Sequence, residues 1–339
     1  MDGVGAVSPA GWGVAALRAA MEEAAAPPVQ AMARPGWATP LAVRPVPPPA
    51  GHPAFLSHPR LRRTNALTQY VVAAGLEALG ETAARVQSGA VRLGIIVGVM
   101  AGSVGYSRRF YEEVVRDPAT ASPLIFPETV FNAPASHLAA YLGSNVVSYT
   151  LVGDDGTFLQ GLALAADWLA GDKVDGCLVI GAEESDWIVS DAIRLFHAEA
   201  IHGAGAGALL LKTDSGAYAE LAAVTDSMPF TQRQSRAAAA RRMRSQLPGG
   251  AEDELLCTSE QQLPRLDAAE REVWSDWPGR RMAPRMTLGN AFQASTAWQC
   301  VIACDALRRN ECSGANVSVV GANQQAIGGR FSRSNGPRS

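Results

Sequence analysis

The 339-residue sequence has no run of eighteen apolar residues, so we expect no helix that spans a membrane. The start, MDGVGAVSPAG, lacks the basic and apolar regions of a secretory signal, and we therefore expect a cytoplasmic protein. Charged residues are also scarce, at 18%, whereas hydrophobic residues make up 47%. This composition is typical of a globular fold with a layer buried on both faces, or of a subunit with a large permanent interface.

The charge balance and the cysteines exclude several other classes. A formal net charge of −3 argues against nucleic acid or an anionic membrane as the main partner. The five cysteines lie in apolar segments, and Cys300 and Cys304 could share a helical face. No second pair or histidine cluster completes a metal set, so we expect buried thiols and neither a metal nor another cofactor.

Apolar runs of strand length alternate with amphipathic helical segments along the chain. The run at 93–100, LGIIVGVM, is typical of a strand covered on both faces, and 62–79 is predicted to be an amphipathic helix. A proline-rich segment at 26–60 is predicted to be a surface excursion. The pattern predicts an α/β fold with a largely parallel sheet, in two similar halves at 1–215 and 216–339.

Residues 144–184 carry the most specific pattern, which is a strand, a tight turn, a helix and a second strand. The turn has the sequence Gly-Asp-Asp-Gly at 153–156, and the second strand ends in Gly-Ala-Glu-Glu at 181–184. This layout resembles the nucleophile elbow of the β-ketoacyl synthases, which condense acyl thioesters. In that family the strand delivers a reactive cysteine at the start of the helix. The resemblance implies a thiolase-like fold of duplicated α-β-α-β-α layers.

Other signatures of the family occur in the correct order over most of the chain. They are the Gly-x-Gly-x-x-Ser-Pro-x-Gly start at 3–11, a Phe-Pro…Asn segment at 126–132, and a Gly-x-Gly-Ala-Gly run at 203–207. The final Phe-Gly-Gly-Thr-Asn loop of the family is reduced to Val-Gly-Ala-Asn at 320–323. Glycine turns after strands are common, but so many in the correct order are hard to produce by chance.

The position of the nucleophilic cysteine falls on Gly153, or on Asp154 if the register slips by one residue. A glycine cannot carry an acyl group, and a carboxylate beside a second carboxylate is a poor thioester acceptor. Asp154 and Asp155 could support a metal or acid–base chemistry. Carboxylates that cap free amides at the helix N-terminus are the simpler interpretation.

The resemblance also implies two histidines and a lysine, all of which this chain replaces. Ser259 stands at the first histidine and Asn290 at the second, while Arg285 replaces the lysine. Serine provides no imidazole, asparagine cannot shuttle a proton near neutral pH, and arginine cannot act as a base. Asn290 and Ser259 could still hydrogen-bond a ligand, but a scaffold that has lost condensation is the simplest interpretation.

Residues elsewhere suggest no replacement site. His137 lies in a predicted helix and His202 before a glycine loop, and both are interpreted as structural; Cys177 is interpreted as core. The basic run at 236–244 could dock an acidic carrier protein, although a solvated helix face is the simpler interpretation.

An intact frame without catalytic groups resembles the chain-length-factor subunit, the non-condensing partner of a ketosynthase in type II polyketide systems. The resemblance implies a heterodimer with an active β-ketoacyl synthase, an acyl tunnel along the interface, and contact with an acyl carrier protein through the complex. The pathway could also be of an aryl-polyene or fatty-acid-like type. Tyr106, Phe110, Tyr111 and Phe131 are candidates for the tunnel or interface, with an ordinary amphipathic helix at 103–116 as the alternative.

Two alternatives stay open. The chain could be a decarboxylase or an acyltransferase with a relocated nucleophile, which would form a covalent intermediate or release carbon dioxide. It could also be a homodimeric module that binds acyl chains or carrier proteins. A homodimer would be stable without a ketosynthase, whereas a silent partner is expected to be poorly soluble alone.

Overall fold

The computed structural model describes residues 1–143, 146–213, 218–231, 235–322 and 324–333. Strands and helices alternate along the chain, with 3-10 turns at Ala54–Ser57 and Phe126–Glu128. The strands are β1 (Gly3–Ser8), β2 (Gly11–Trp12), β3 (Gln30–Met32), β4 (Leu41–Arg44), β5 (Leu93–Val99), β6 (Val147–Val152), β7 (Gly176–Glu183), β8 (His202–Gly203), β9 (Gly205–Leu211), β10 (Glu220–Val224), β11 (Met228–Pro229), β12 (Leu255–Cys257), β13 (Arg280–Met282), β14 (Gly314–Val320) and β15 (Gln325–Ser332). The helices are α1 (Val14–Glu22), α2 (Ala66–Leu79), α3 (Thr82–Gln87), α4 (Val104–Arg116), α5 (Ala133–Leu142), α6 (Thr157–Ala170), α7 (Trp187–Phe196), α8 (Arg236–Ser245), α9 (Pro264–Val273), α10 (Pro284–Leu288) and α11 (Phe292–Arg308).

Two larger sheets share one topology. The strand order is β6-β5-β7-β9-β1 in the first sheet, with β2 beyond β1, and β13-β12-β14-β15-β10 in the second. In both sheets the first three strands of this order are parallel, and the next two pairings are antiparallel. The same order and directions in both sheets are what a duplicated unit produces. The predicted boundary at 215/216 lies outside the described residues, and it stays a prediction.

The prediction of a largely parallel sheet is wrong, because both sheets are mixed. β9 runs antiparallel to β7 and β1, and β15 runs antiparallel to β14 and β10. A continuous apolar run marks a strand that is covered on both faces, and an antiparallel strand inside a layered fold is covered in the same way. Apolar runs therefore located these strands without giving their directions.

Helices α6 and α11 form the layer between the two sheets. α11 packs on β7 and β9 of the first sheet and on β14 of the second, and every residue from 293 to 307 is buried. The indole Nε1 of Trp298 donates to the carbonyl oxygens of Val7 and Ala206, at 3.0 Å each. A Cβ on Gly207 would lie 2.7 Å from the Cβ of Ala297, so this glycine permits the close approach of α11 to β9.

Outer helices complete the five layers. α2 and α5 cover the outer face of the first sheet, while α8 and α9 cover that of the second. The helix predicted at 62–79 begins at Ala66, because the Asn65 side chain caps α2 by accepting from the Thr68 N–H at 2.8 Å. The proline-rich excursion contributes β3 and β4, which form a small sheet with β8.

Candidate functional site

The turn at 153–156 joins β6 to α6, as the sequence predicts, although residues 144 and 145 lie outside the described part of the chain. The Gly153 N–H donates to the Val99 carbonyl at 3.2 Å. The side-chain amide of Gln293, at the start of α11, donates to the carbonyls of Val99 and Gly153 at 2.9 and 3.0 Å. These bonds bring the elbow of the first half against a helix of the second.

Asp155 forms a buried ion pair with Arg285 of α10. Arg285 Nη1 lies 2.5 Å from Asp155 Oδ2, and the two side chains are 1% and 2% exposed. Arg285 Nη2 also donates to Thr296 Oγ1 of α11 at 3.4 Å. The interpretation of Asp155 as a helix cap is therefore wrong, because its carboxylate binds a guanidinium instead of the free amides of α6.

Asp154 binds a backbone amide within the turn and a side chain of the second sheet. Its Oδ1 accepts from the Gly156 N–H at 3.1 Å and from Gln325 Nε2 at 2.7 Å. Burial raises the pKa of this carboxyl above its ordinary value. Gly156 is itself the N-cap residue of α6 and the helix has no side-chain cap, so the capping interpretation is wrong for Asp154 as well. Among the described residues no hydrogen-bonding group contacts the buried Asp154 Oδ2.

Ser259 is bound into a buried cluster. Its hydroxyl donates to Glu270 Oε2 at 2.7 Å and accepts from the Val320 N–H at 2.9 Å. The other carboxyl oxygen of Glu270 accepts from Ser318 Oγ. Burial raises the pKa of Glu270 to about 7. The Ser259 hydroxyl has its donor and an acceptor site occupied, so it serves the packing of α9 against β14.

The Asn290 amide is also occupied. Its Nδ2 donates to Gln261 Oε1 at 2.9 Å, and its Oδ1 accepts from the Phe292 N–H at 2.9 Å. Phe292 has a φ of 44°, in the left-handed region that a phenylalanine rarely adopts, and this bond holds it there. Asn290 thus shapes the entry into α11. Asn323 of the reduced final loop lies outside the described residues.

Sequence reasoning missed a buried pair formed by Ser190 and His202. The Ser190 Oγ lies 3.0 Å from His202 Nδ1, and it also donates to the Asp186 carbonyl at 3.0 Å. Burial lowers the pKa of His202 to about 4, so the ring is neutral. Among the described residues no hydrogen-bonding group contacts His202 Nε2, and the pair lacks the third group that orients the base in a catalytic triad.

The tunnel candidates lie on or beside α4. The Tyr106 hydroxyl donates to the Arg63 carbonyl at 2.7 Å, and the Phe110 ring lies 5.5 Å from that of Phe126. Tyr111 is 69% exposed, and Phe131 is 44% exposed. No residue of α4 is fully buried, and the apolar side of the predicted amphipathic helix is only partly covered in the isolated chain.

Strand β6 forms an edge of the first sheet among the described strands. It pairs only with β5, and it exposes Val147, Tyr149 and Val152 by 51%, 54% and 53%. A cleft of about 550 Å³ opens beside this strand and the elbow. Its walls are residues of β6, α6 and the segments near β11 and β15: Leu151, Val152, Gly153, Thr157, Gln160, Leu164, Ser227, Pro229, Gln324 and Gln325.

The described ranges contain no group of three or more His, Cys, Asp or Glu side chains that could hold a metal ion. They also contain no helix long and apolar enough to cross a membrane. The five cysteines are buried and unpaired, and burial raises the pKa of Cys177 to about 12, which keeps it a thiol.

No protein-family model matches the sequence, and no curated protein matches it either. Solved structures match over nearly the whole length. One described as the ishigamide ketosynthase/chain length factor is 20% identical, with a TM-score of 0.76 and 98% of each chain covered. AntDE:AntF, described as a type II PKS acyl-carrier protein in complex with its ketosynthase, is 16% identical, with a TM-score of 0.79 and 98% of each chain covered. A β-ketoacyl synthase from Burkholderia phymatum STM815 is 15% identical, with a TM-score of 0.81 and 99% of each chain covered.

These likenesses define the class of fold. The chain has the thiolase-like α/β fold of the ketosynthases, and the predicted layered architecture is confirmed. More narrowly, it resembles a structure of a ketosynthase/chain length factor over 98% of its length.

Because Asp155 and Arg285 pair in the interior, we predict that removing only the Arg285 charge destabilises the protein more than removing both charges. Arg285→Met leaves Asp155 buried and unpaired, which is expected to lower the free energy of unfolding by about 3–5 kcal/mol. Asp155→Leu combined with Arg285→Met removes both charges, and this double variant is expected to be more stable than Arg285→Met alone. Urea denaturation followed by circular dichroism measures the difference. Arg92→Met, which breaks an exposed pair with Asp175, is the control and is expected to cost far less. Additive losses at Asp155 and Arg285 would contradict the pairing.

Glu270 predicts a pH dependence. Because burial raises its pKa from 4.5 to about 7, the folded chain binds this proton more tightly than the unfolded chain. Its contribution to stability is therefore fully present below pH 4.5 and is lost as the pH rises through 7. The free energy of unfolding of the wild type, minus that of Glu270→Gln, is expected to fall over this range and then level off. Glu272→Gln, at an exposed carboxyl on α9, is the matched control. A constant difference for Glu270→Gln would rule out the raised pKa.

Proposed function

We propose that this chain is a non-condensing ketosynthase homologue that pairs with an active β-ketoacyl synthase and shapes the acyl tunnel of a type II polyketide or related system. The buried Asp155–Arg285 pair at the elbow is the observation that carries this proposal. A condensing elbow needs a nucleophile at the start of the helix, whereas here an internal ion pair fills that region.

The surrounding groups support a silent site. Thioester condensation needs a nucleophile, donors that polarise the thioester carbonyl, and a group that moves protons. Gly153 has no side chain, Ser259 is bound to Glu270 and Val320, and Asn290 is bound to Gln261 and Phe292. Ser259 and Asn290, which stand where the family has its two histidines, are thus both hydrogen-bonded within the protein.

The surface supports pairing. An uncovered apolar edge strand such as β6 invites aggregation in a free protein, and a partner subunit covers it. The exposed side chains of α4 and of the segment after it add to this surface: Tyr111, Val115, Leu124, Phe126, Val130 and Phe131. One structural relative is described as a ketosynthase/chain length factor, which is the kind of pair proposed here.

The tunnel itself remains part of the proposal. Tyr106, Phe110, Tyr111 and Phe131 are bulky, lie on or beside α4 and are at least partly exposed, so a partner that covers α4 would enclose them. Such side chains would stop elongation by steric clash. The mechanism is thus steric rather than chemical, and it requires no cofactor.

Contact with an acyl carrier protein is proposed on a different arginine cluster from the one considered in the sequence. On α8, the Arg236 guanidinium donates to the carbonyls of Gly321 and Ala322, Arg241 pairs with Glu272, and Arg244 pairs with Asp276. In contrast, Arg60, Arg62 and Arg63 are exposed in the loop before α2. Across the described ranges their side chains form no hydrogen bond or ion pair. We call these three residues the arginine patch.

The arginine patch lies next to α4, since the Tyr106 hydroxyl donates to the Arg63 carbonyl. A carrier bound there would sit beside the surface proposed for the partner. Arginine suits this role because its guanidinium binds carboxylates and phosphates in a bidentate way. AntDE:AntF is described as a carrier protein in complex with its ketosynthase, which supports the choice of partner.

The same surfaces also fit one competing function. β6 could pair with a second copy of this chain, which would make the protein a homodimeric binding module. A relocated nucleophile is less supported, since Ser190 and His202 are 6% and 1% exposed and no third group orients the histidine in the described structure. Native mass spectrometry after co-expression with a cysteine-bearing ketosynthase from the same genome distinguishes these readings. A one-to-one heterodimer supports the proposal, and a homodimer that ignores the ketosynthase contradicts it.

We predict that Val147→Arg weakens pairing with the ketosynthase. Val147 is 51% exposed on the edge strand, so the isolated fold should tolerate arginine there. In a heterodimer an unpaired charge would be buried, at a cost of about 3–5 kcal/mol, or more than about 100-fold in the dissociation constant. Analytical ultracentrifugation with the ketosynthase measures this. Val29→Arg, at a valine that is 47% exposed in the proline-rich segment, is the matched control and should pair normally. Equal affinity for the two variants would exclude β6 from the interface.

We predict that Arg62→Glu combined with Arg63→Glu weakens binding of the acyl carrier protein. The double reversal should repel an acidic carrier and raise the dissociation constant by about tenfold or more at low salt. Fluorescence anisotropy with the labelled carrier and the heterodimer measures it. Arg85→Glu, at an exposed arginine on α3, is the control. If both variants bind the carrier like the wild type, the arginine patch is not the contact.

A further inference from the structure

Helix α4 is attached to the protein in an unusual way. It has 13 residues, and none of them is buried. Its close packing is with the 3-10 turn at Phe126–Glu128, so it is not fixed by the main hydrophobic core. Most helices in a globular protein are held by a buried apolar face. The attachment of α4 must therefore come largely from polar contacts.

Those contacts converge on Glu184, directly after β7. Its Oε1 accepts from the Gly105 N–H at 2.7 Å, in the first turn of α4. The Leu67 N–H, in the first turn of α2, lies close enough to this carboxyl to stabilise its charged form. Ser103, the residue at the N-cap of α4, makes no side-chain capping bond. Glu184 thus supplies from a distant element the cap that α4 lacks, and it serves the start of α2 as well.

The neighbouring acids extend this anchorage. Glu183 accepts from the N–H groups of Met100 and Ala101, and Asp186 Oδ2 accepts from the Arg108 guanidinium at 3.3 Å. The segment 183–186 therefore binds the chain at several points from 100 to 108. The strand that follows the elbow helix is in this way tied to the beginning of α4.

The chemistry of Glu184 fits a positioning role. A carboxylate at a helix N-terminus accepts from free amides and meets the positive end of the helix dipole. Glu184 is only 6% exposed, and burial raises its pKa to about 7. A buried carboxyl is costly unless it is hydrogen-bonded, and the two helix starts provide the compensating donors. Its two oxygens can serve both helices together.

We propose that Glu184 is a positioning residue for subunit pairing: it clamps the first turns of α2 and α4, and so fixes the helix whose exposed aromatic side chains meet the partner. This rests on the proposed pairing with a ketosynthase. The clamp sets the angle at which α4 leaves the body, and that angle places Tyr106, Phe110 and Tyr111. Because Glu184 directly follows β7, the clamp also links β7 to the proposed interface.

Glu184→Gln and Glu184→Ala test the clamp by amide hydrogen exchange in the isolated chain. Glutamine keeps a carbonyl acceptor but loses the charge that meets the helix dipole, so it caps α4 more weakly, whereas alanine cannot cap it at all. Exchange at residues 104–111 is expected to rise about tenfold in the glutamine variant and more in the alanine variant, with protection in β7 and α11 unchanged. The dissociation constant for the ketosynthase should rise by about the same factor. Glu199→Gln, at an exposed carboxyl after α7, is the control.

The outcomes separate the clamp from a general effect and from the proposed function. Unchanged exchange at 104–111 in both variants would overturn the clamp. A uniform rise across β7, α11 and α4 would also overturn it, because it would show only a loss of overall stability. Should the alanine variant fail to fold, the glutamine variant decides alone. Should the wild type bind no ketosynthase, the proposed function fails, while the exchange at α4 still decides whether Glu184 clamps the helix.

Discussion

The buried ion pair between Asp155 and Arg285 is the interaction on which the centre of this molecule depends. It joins the elbow of the first half to α10 of the second, and both side chains are almost fully removed from water. Removing two charges from water costs several kcal/mol each, which only close geometry and further hydrogen bonds can offset. Here the distance is 2.5 Å, and Thr296 provides an additional partner. In the function proposed above, this pair fills the region where the family resemblance places the nucleophile.

The other positions where the family resemblance implies a catalytic residue are also occupied by side chains with structural partners. Each polar side chain that stands where the family resemblance places a catalytic group has found a structural partner: Ser259 binds Glu270, and Asn290 binds Gln261 and the start of α11. The glycines of the frame are kept for steric reasons, as at Gly207 beneath Ala297. Packing and catalysis depend on different residues, so a fold can lose its chemistry and keep its shape. In the function proposed above, the working parts are on the surface: an exposed edge strand, a partly covered helix and a patch of arginines.

The sequence predicted what is local. The strand–turn–helix at the elbow, the glycine motifs and most helices follow from spacing and turn chemistry. The ion pair could not be predicted, because Asp155 and Arg285 are 130 positions apart and each has a plausible local role. The same applies to Glu184, which caps a helix that begins about 80 positions earlier. The sequence pattern also could not predict strand direction, since buried parallel and antiparallel strands share one apolar pattern. Of the arginines of α8, which were expected on a solvated face, Arg241 is exposed and pairs with Glu272, whereas Arg236 is partly buried and donates to loop carbonyls.

In the proposed pair, the ketosynthase carries the acyl group and this chain does not. Intact-protein mass spectrometry of the heterodimer, after incubation with an acyl-loaded carrier protein, distinguishes the two subunits. We expect an acyl mass increase on the ketosynthase alone, with the mass of this chain unchanged. An acyl adduct on this chain, mapped by peptide analysis to any serine, cysteine or aspartate, would instead establish a relocated nucleophile and disprove the silent role.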